Sequence, residues 1–160
     1  MLKTILLFGI FAFCSLIGIG RGYALKKRVL DLSDTREMIE RIGSEIRFSQ
    51  KNIFEILQKQ TMRNPLFCLS EGSDLQEQYI KIRDDKKETF CFREEDWKII
   101  DHFFFLLGKS DIEGQTSLCA NISEQLREQE EKAEYERAKY AKMYISIGVL
   151  AGLFFVIILL

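Results

Sequence analysis

The chain has one proline, Pro65, and one histidine, His102, among 160 residues. Few prolines leave few obligatory helix breaks. No run alternates apolar and polar residues as a half-buried strand does, so the expected fold class is all-α. A zinc centre needs three or four converging nitrogen or sulfur ligands. One histidine and four scattered cysteines, Cys14, Cys68, Cys91 and Cys119, without a C-x-x-C pair do not supply them. Lone cysteines beside Leu or Phe read as small buried apolar residues in a reducing compartment. No Gly-rich phosphate loop, nucleophile elbow or H-E-x-x-H is found. His102 lies in a Phe run, and the many carboxylates are spread as helix-surface charges. We therefore expect no enzyme activity, no cofactor and no metal.

Charge is also missing from both ends. Thr4 to Gly20 and Tyr144 to Leu160 contain no Asp, Glu, Lys or Arg. A helix rises about 1.5 Å per residue, so each run covers roughly 25 Å of a ~30 Å hydrocarbon core. With Lys3, Arg21 and Lys142 reaching outward along their aliphatic stems, residues 1–23 and 144–160 read as transmembrane helices. The rival for the first run is a cleaved signal peptide, with Lys3 as the n-region and Gly22-Tyr23-Ala24 as a poor cleavage site. The length of the run favours a retained helix.

Between the runs, residues 24–143 hold all 24 acidic residues and 21 of the 23 basic ones, a formal charge of −3. Nucleic acid is not an expected partner for such a segment. Basic residues crowd both of its membrane exits: Arg21, Lys26, Lys27 and Arg28 after the first run, Arg137, Lys139 and Lys142 before the second. The positive-inside rule then places the middle segment in the cytoplasm and both termini across the membrane.

The middle segment reads as a membrane-anchored antiparallel helical bundle with a membrane-proximal stalk. Leu25, Val29, Leu32, Ile39, Ile42, Ile46, Ile53, Ile56 and Leu57 recur mostly at threes and fours, an amphipathic stripe. It predicts a helix from Ala24 to Phe48, with Gly43 a weak point, and another from Ile53 to Met62 capped by Asn52. Asn64-Pro65 predicts a break. Ser70 to Ser73 reads as a turn, with Ser73 capping a helix from Asp74 to Arg83. Asp84 to Thr89 reads as a charged loop. Glu94 to Leu107 follows, with three acids on the positive end of its dipole, a buried face of Trp97, Ile100, Phe103, Phe104 and Leu107, and Gly108 as the residue after the cap. Ser110 and Glu113 have capping-box spacing, with Ser110 or Asp111 as the expected cap, and open a long helix into the membrane, with Leu118, Ile122, Leu126, Gln129 and Ala133 inward. Gly114 is expected to allow close packing on a neighbouring helix. The polar stretch Arg127 to Lys142 reads as a solvated stalk, and the first helix, starting at the same surface, is expected to run beside it.

Each apolar run carries G-x-x-x-G, Gly18 with Gly22 and Gly148 with Gly152, at comparable depth. Such spacing lets helices approach closely in lipid. Packing within one chain and packing between chains, as a homo-oligomer, both remain open.

Two longer stretches point further. Leu107 to Gln115, a long charged helix, and then Lys142 to Leu153 resemble stage III sporulation protein AB of endospore-forming bacteria, as do the chain length, the basic exit of the N-terminal anchor and Ser44-Glu45-Ile46. The structural motif carrying the resemblance includes Gly108, Ser110, Asp111, Gly114 and Gln115. The resemblance implies the mother-cell side of a channel joining mother cell and forespore. It also implies a soluble domain similar to the cytoplasmic helical domain of the F-type platform protein of type II secretion and type IV pilus machines. The implied partners are a secretion-type ATPase, other membrane components of the channel and the lipid bilayer. Lys86 and Lys87, in the expected charged loop, are the candidate contact. The alternative is a membrane-anchored helical adaptor unrelated to sporulation.

Overall fold

The computed structural model describes residues 2–48, 55–57, 64–69 and 74–159. Among them there is no strand. The order is α1 (Leu2–Phe48), a 3-10 turn (Pro65–Phe67), α2 (Leu75–Lys86), α3 (Glu94–Leu106) and α4 (Ile112–Leu159). The protein is all-helical. Residues 55–57 are helical as well; the rest of the expected Ile53 to Met62 helix, its Asn52 cap and the Ser70 to Ser73 turn lie outside the described residues.

The chain divides into two compact units. Unit 1 takes Met1–Val29 and Lys132–Leu160, and unit 2 takes Leu30–Glu131. The divisions fall inside α1 and α4, on the charged side of each apolar run.

Unit 2 is built on the stripe of α1. Leu32, Met38, Ile39, Ile42 and Ile46 are buried, as are Ile122 and Leu126 of α4. α1 continues through Gly43, contrary to the weak point expected there. The glycine serves a close approach instead: a Cβ on Gly43 would lie 2.8 Å from the Cβ of Cys119.

The centre of unit 2 is aromatic. Tyr79 of α2 stacks on Phe104 of α3 with ring centroids 4.0 Å apart, and Phe67 from the 3-10 turn lies 5.2 Å from Phe104. The Tyr79 hydroxyl donates to Asp101 Oδ1 at 2.6 Å. Burial foremost, then the Asp101 carboxylate, push the phenol pKa upward, so the ring stays neutral. Phe90, Phe92 and Trp97 form a second cluster, with Arg83 over the indole at 5.6 Å.

Short polar side chains of α1 fasten the connections. Thr35, fully buried, donates to the carbonyl of Asp31 at 2.8 Å and accepts from Asn64 Nδ2 at 3.3 Å. Asn64 Oδ1 in turn accepts the Leu66 N–H at 3.0 Å, capping the Pro65 turn. The Cys91 N–H donates to Asp31 Oδ2 at 2.8 Å.

Several helix ends differ from expectation. Asp74, not Ser73, caps α2, accepting from the Gln76 N–H at 3.3 Å. α2 runs to Lys86 rather than stopping at Arg83. Lys and Arg are good helix formers, and Arg83 and Lys86 in the last turn complement the negative end of the dipole, which offsets the unfavourable Asp84 and Asp85 between them. α3 stops at Leu106, with Leu107 as its C-cap.

Candidate functional site

The four glycines singled out by spacing meet in unit 1. A Cβ on Gly18 would lie 2.7 Å from the Tyr144 carbonyl oxygen and 3.0 Å from the Gly148 Cα. One on Gly148 would lie 2.9 Å from the Gly18 Cα and 3.0 Å from the Cys14 carbonyl oxygen. Gly22 faces Ala141 and Ile145, and Gly152 faces Phe11. The partners descend along α4 as they ascend along α1. Where Gly18 and Gly148 cross, the contact is backbone against backbone, within one chain, and the Ile145 and Phe11 side chains pack on Gly22 and Gly152. Gly9 and Gly20 of α1 have nothing within 4 Å of an added Cβ, so they lie off this seam.

Away from the seam, unit 1 presents Phe13, Leu16, Ile17, Leu150, Phe154 and Ile157 outward. Among the described residues, one helix, α4, is long and apolar enough to cross a membrane, and only 6% of its apolar window is buried. A core helix of a water-soluble domain would bury far more.

The polar stretch before that window is not solvated all round, as the sequence suggested. Arg28 Nη1 meets Glu136 Oε2 at 3.4 Å in unit 1, with the two side chains 5% and 26% exposed. In unit 2, Arg36 Nε meets Glu130 Oε2 at 2.8 Å. The hydrogen bond to Glu130 is the largest cause raising the Arg36 pKa. These pairs link residues 108 and 94 positions apart, a relation that no local pattern carries.

The turn from α3 to α4 is organised by Gln115, which is 2% exposed. Its Nε2 donates to Ser110 Oγ at 2.7 Å and to the Leu106 carbonyl at 3.2 Å, and its Oε1 accepts the Gly108 N–H at 3.1 Å. Gly108 has φ 81°, a left-handed conformation that costs a residue with a Cβ. Asp111 caps α4 by accepting the Gly114 N–H at 2.9 Å. Of the two expected caps, Ser110 and Asp111, it is Asp111 that serves, while Ser110 accepts from Gln115. The nearest neighbours of Gly114 belong to its own turn. A Cβ there would lie 2.7 Å from Ser110 Oγ and 2.9 Å from Asp111 Oδ1, inside its own cap. Replacing Gln115 with Leu strands the Gly108 N–H and leaves the Leu106 carbonyl only its bond from the Lys109 N–H. It should cost about 1–3 kcal/mol, read as a lower melting temperature of the intact chain; an unchanged melt would contradict this role.

Of the two lysines expected in a loop, Lys86 is helical and Lys87 lies in the turn that follows. Lys86 is the last residue of α2 and pairs with Asp85 at 2.6 Å, while Lys87 is the helical C-cap. Both remain near the end of the helix, followed by the turn at residues 87–89.

A groove of about 430 Å³ in unit 2 is lined by Glu40, Gly43, Phe48, Cys119, Ser123 and Arg127, among others. Its titratable groups are poorly suited to acid–base or nucleophilic work. The Glu40 carboxylate accepts from the Ser123 hydroxyl at 2.6 Å and pairs with Arg36; Ser123 first, then Arg36, hold it below the usual carboxylate range. Burial pushes the Cys119 thiol up to about 11, leaving it a neutral thiol at pH 7. His102 is exposed on α3. Among the described residues, no group of three or more His, Cys, Asp and Glu side chains converges as a metal site.

The family model of stage III sporulation protein AB matches residues 3–160. The chain belongs to that family. It is therefore a sporulation-related protein, and the resemblance first carried by Leu107 to Gln115 and Lys142 to Leu153 extends over the whole length. Comparisons with curated proteins and with solved structures returned no match. Within a stage III sporulation protein AB chain, the Gln115-braced turn and the Gly148–Gly152 face are the parts of the two recognised stretches for which this structure gives a physical reason.

Proposed function

We propose that this chain is a non-enzymatic platform subunit of a secretion-like channel between mother cell and forespore. On this reading its two apolar segments form a transmembrane hairpin in the mother-cell membrane around the forespore. The remaining helices form a cytoplasmic antiparallel bundle that docks a secretion-type ATPase beside the other membrane components of the channel. The family match over residues 3–160 carries the reading. The seam of Gly18, Gly22, Gly148 and Gly152 supports the hairpin, because small residues let backbones approach closely in lipid. The groove chemistry and the lack of a phosphate-binding loop support a binding role over a catalytic one. Membership in a sporulation family argues against an adaptor unrelated to sporulation.

Docking is testable at the end of α2. Lys86→Glu with Lys87→Glu should weaken co-purification with the ATPase about tenfold, as reversing charges at an interface rim does. The circular dichroism spectrum should be unchanged, because exposed ion pairs contribute little stability. Undiminished binding would remove α2 from the interface. Failure of the parent chain to bind in any nucleotide state would remove the platform role.

A further inference from the structure

Unit 1 carries four exposed basic side chains, Arg21, Lys26, Lys139 and Lys142, in one band along its two helices. No acidic residue precedes Asp31. In the α4 part of the unit there are only Glu134 and Glu136, and each is engaged by an arginine: Arg137 Nη2 meets Glu134 at 2.6 Å and Arg28 meets Glu136 at 3.4 Å. Arg21, Lys26, Lys139 and Lys142 are exposed beyond them.

The helix contacts set the level of these four. The Gly22 crossing at Ala141 and Ile145 puts Arg21 and Lys142 at one edge, and the Arg28–Glu136 pair marks the other. Lys26 and Lys139 fall between. At 1.5 Å per residue the band from Arg21 to Lys26 is about 8 Å deep. A bilayer's polar layer is roughly 5–8 Å per leaflet, the difference between total and hydrocarbon thickness. On one side of the band lie the uncharged runs. Tyrosines lie in it and at its edges: Lys139 Nζ sits 5.6 Å over the Tyr135 ring and 5.1 Å over that of Tyr140, and Tyr23 and Tyr144 are exposed. Tyrosine with Lys or Arg at the end of an apolar helix suits a membrane–water interface.

We propose that this band is a docking surface for the phosphate headgroups of anionic glycerophospholipids, which it selects over zwitterionic ones. The inference rests on the hairpin reading above and adds to it a lipid class. A zwitterionic headgroup offers a phosphate too, but its own cation cancels the charge. Four cations with the nearby acids already neutralised discriminate by net charge, and such attraction decays within a Debye length.

The full chain would be reconstituted into phosphatidylcholine vesicles carrying a trace of spin-labelled phosphatidylglycerol or spin-labelled phosphatidylcholine. The motionally restricted fraction of each label would be measured by electron paramagnetic resonance. The expected result is about threefold preferential retention of phosphatidylglycerol at low salt, falling toward none near 1 M salt. Arg21→Gln, Lys26→Gln, Lys139→Gln and Lys142→Gln combined should abolish the preference. Lys81→Gln, Lys98→Gln and Lys109→Gln combined, all in unit 2, should leave it. Equal retention of both lipids by the inserted parent chain, or full preference in the fourfold variant, overturns the proposal while leaving the hairpin standing. Should that variant fail to insert, the salt series on the parent decides, and a salt-independent preference overturns it. A parent chain that does not float with vesicles overturns the hairpin and this inference together.

Discussion

Gly148→Leu is expected to force the two segments of unit 1 apart, whereas Gly20→Leu is expected to leave them closed. An added Cβ at Gly148 meets main-chain atoms at 2.9 and 3.0 Å, and a backbone cannot rotate away as a side chain can. Overpacking typically costs about 1–3 kcal/mol, and a contact against backbone belongs at the upper end. In lipid there is little hydrophobic drive to hold helices together once close packing is lost. Gly20 lies on the same helix but has open space around it, so it controls for the change of residue. Spin labels at Phe13 and Leu150, both exposed, would read the separation by pulsed electron resonance. The parent and Gly20→Leu should give the same narrow distance distribution, and Gly148→Leu a longer or broader one. A Gly148→Leu distribution like the parent's would mean that the seam does not hold the segments.

The second large effect is expected at Phe104. Its ring is fully buried between Tyr79, Phe67 and Phe103. Phe→Ala in a core costs about 3–5 kcal/mol, a large share of the roughly 5–15 kcal/mol that holds a domain together. For a unit of this size the melting temperature should fall on the order of 15–30 °C. Phe105, next in sequence, is 40% exposed, and Phe105→Ala should shift it by only a few degrees, on the order of 1 kcal/mol. Fluorescence of Trp97, buried in the same unit, reports the transition in the full chain. Equal shifts for the two variants would mean that the stacked aromatics are not the centre of the unit.

What the sequence made legible was periodic or local. The stripe Leu32, Ile39, Ile42 and Ile46 is buried because positions three and four apart share a helix face. Trp97, Ile100, Phe103, Phe104 and Leu107 could be read as one face for the same reason, and Gly108 as the residue after the cap because of its place at the end of that pattern. The α2 boundary was misread because Asp84 to Lys86 look like a charged loop, although Arg83 and Lys86 suit an exposed last turn. Gln115 was named only through a resemblance. Its three bonds to Ser110, Leu106 and Gly108 reach five to nine residues back, and no spacing rule predicts them. Arg28 with Glu136, Asp31 with Cys91, and Gly43 with Cys119 are matches between distant segments. One sequence shows each half of such a pair as an ordinary surface charge or an ordinary helix glycine.

The seam and the apolar face of α4 suit segments held in a membrane, and the proposed platform role depends on the rest of the chain lying at its cytoplasmic face. Cys68 is exposed in unit 2 and makes a native probe of it once Cys14, Cys91 and Cys119 are replaced by Ala or Ser. A membrane-impermeant maleimide applied to intact cells should leave Cys68 unlabelled, and the same reagent should label it after permeabilisation. Full labelling in intact cells would put the domain on the opposite side of the membrane and contradict the account.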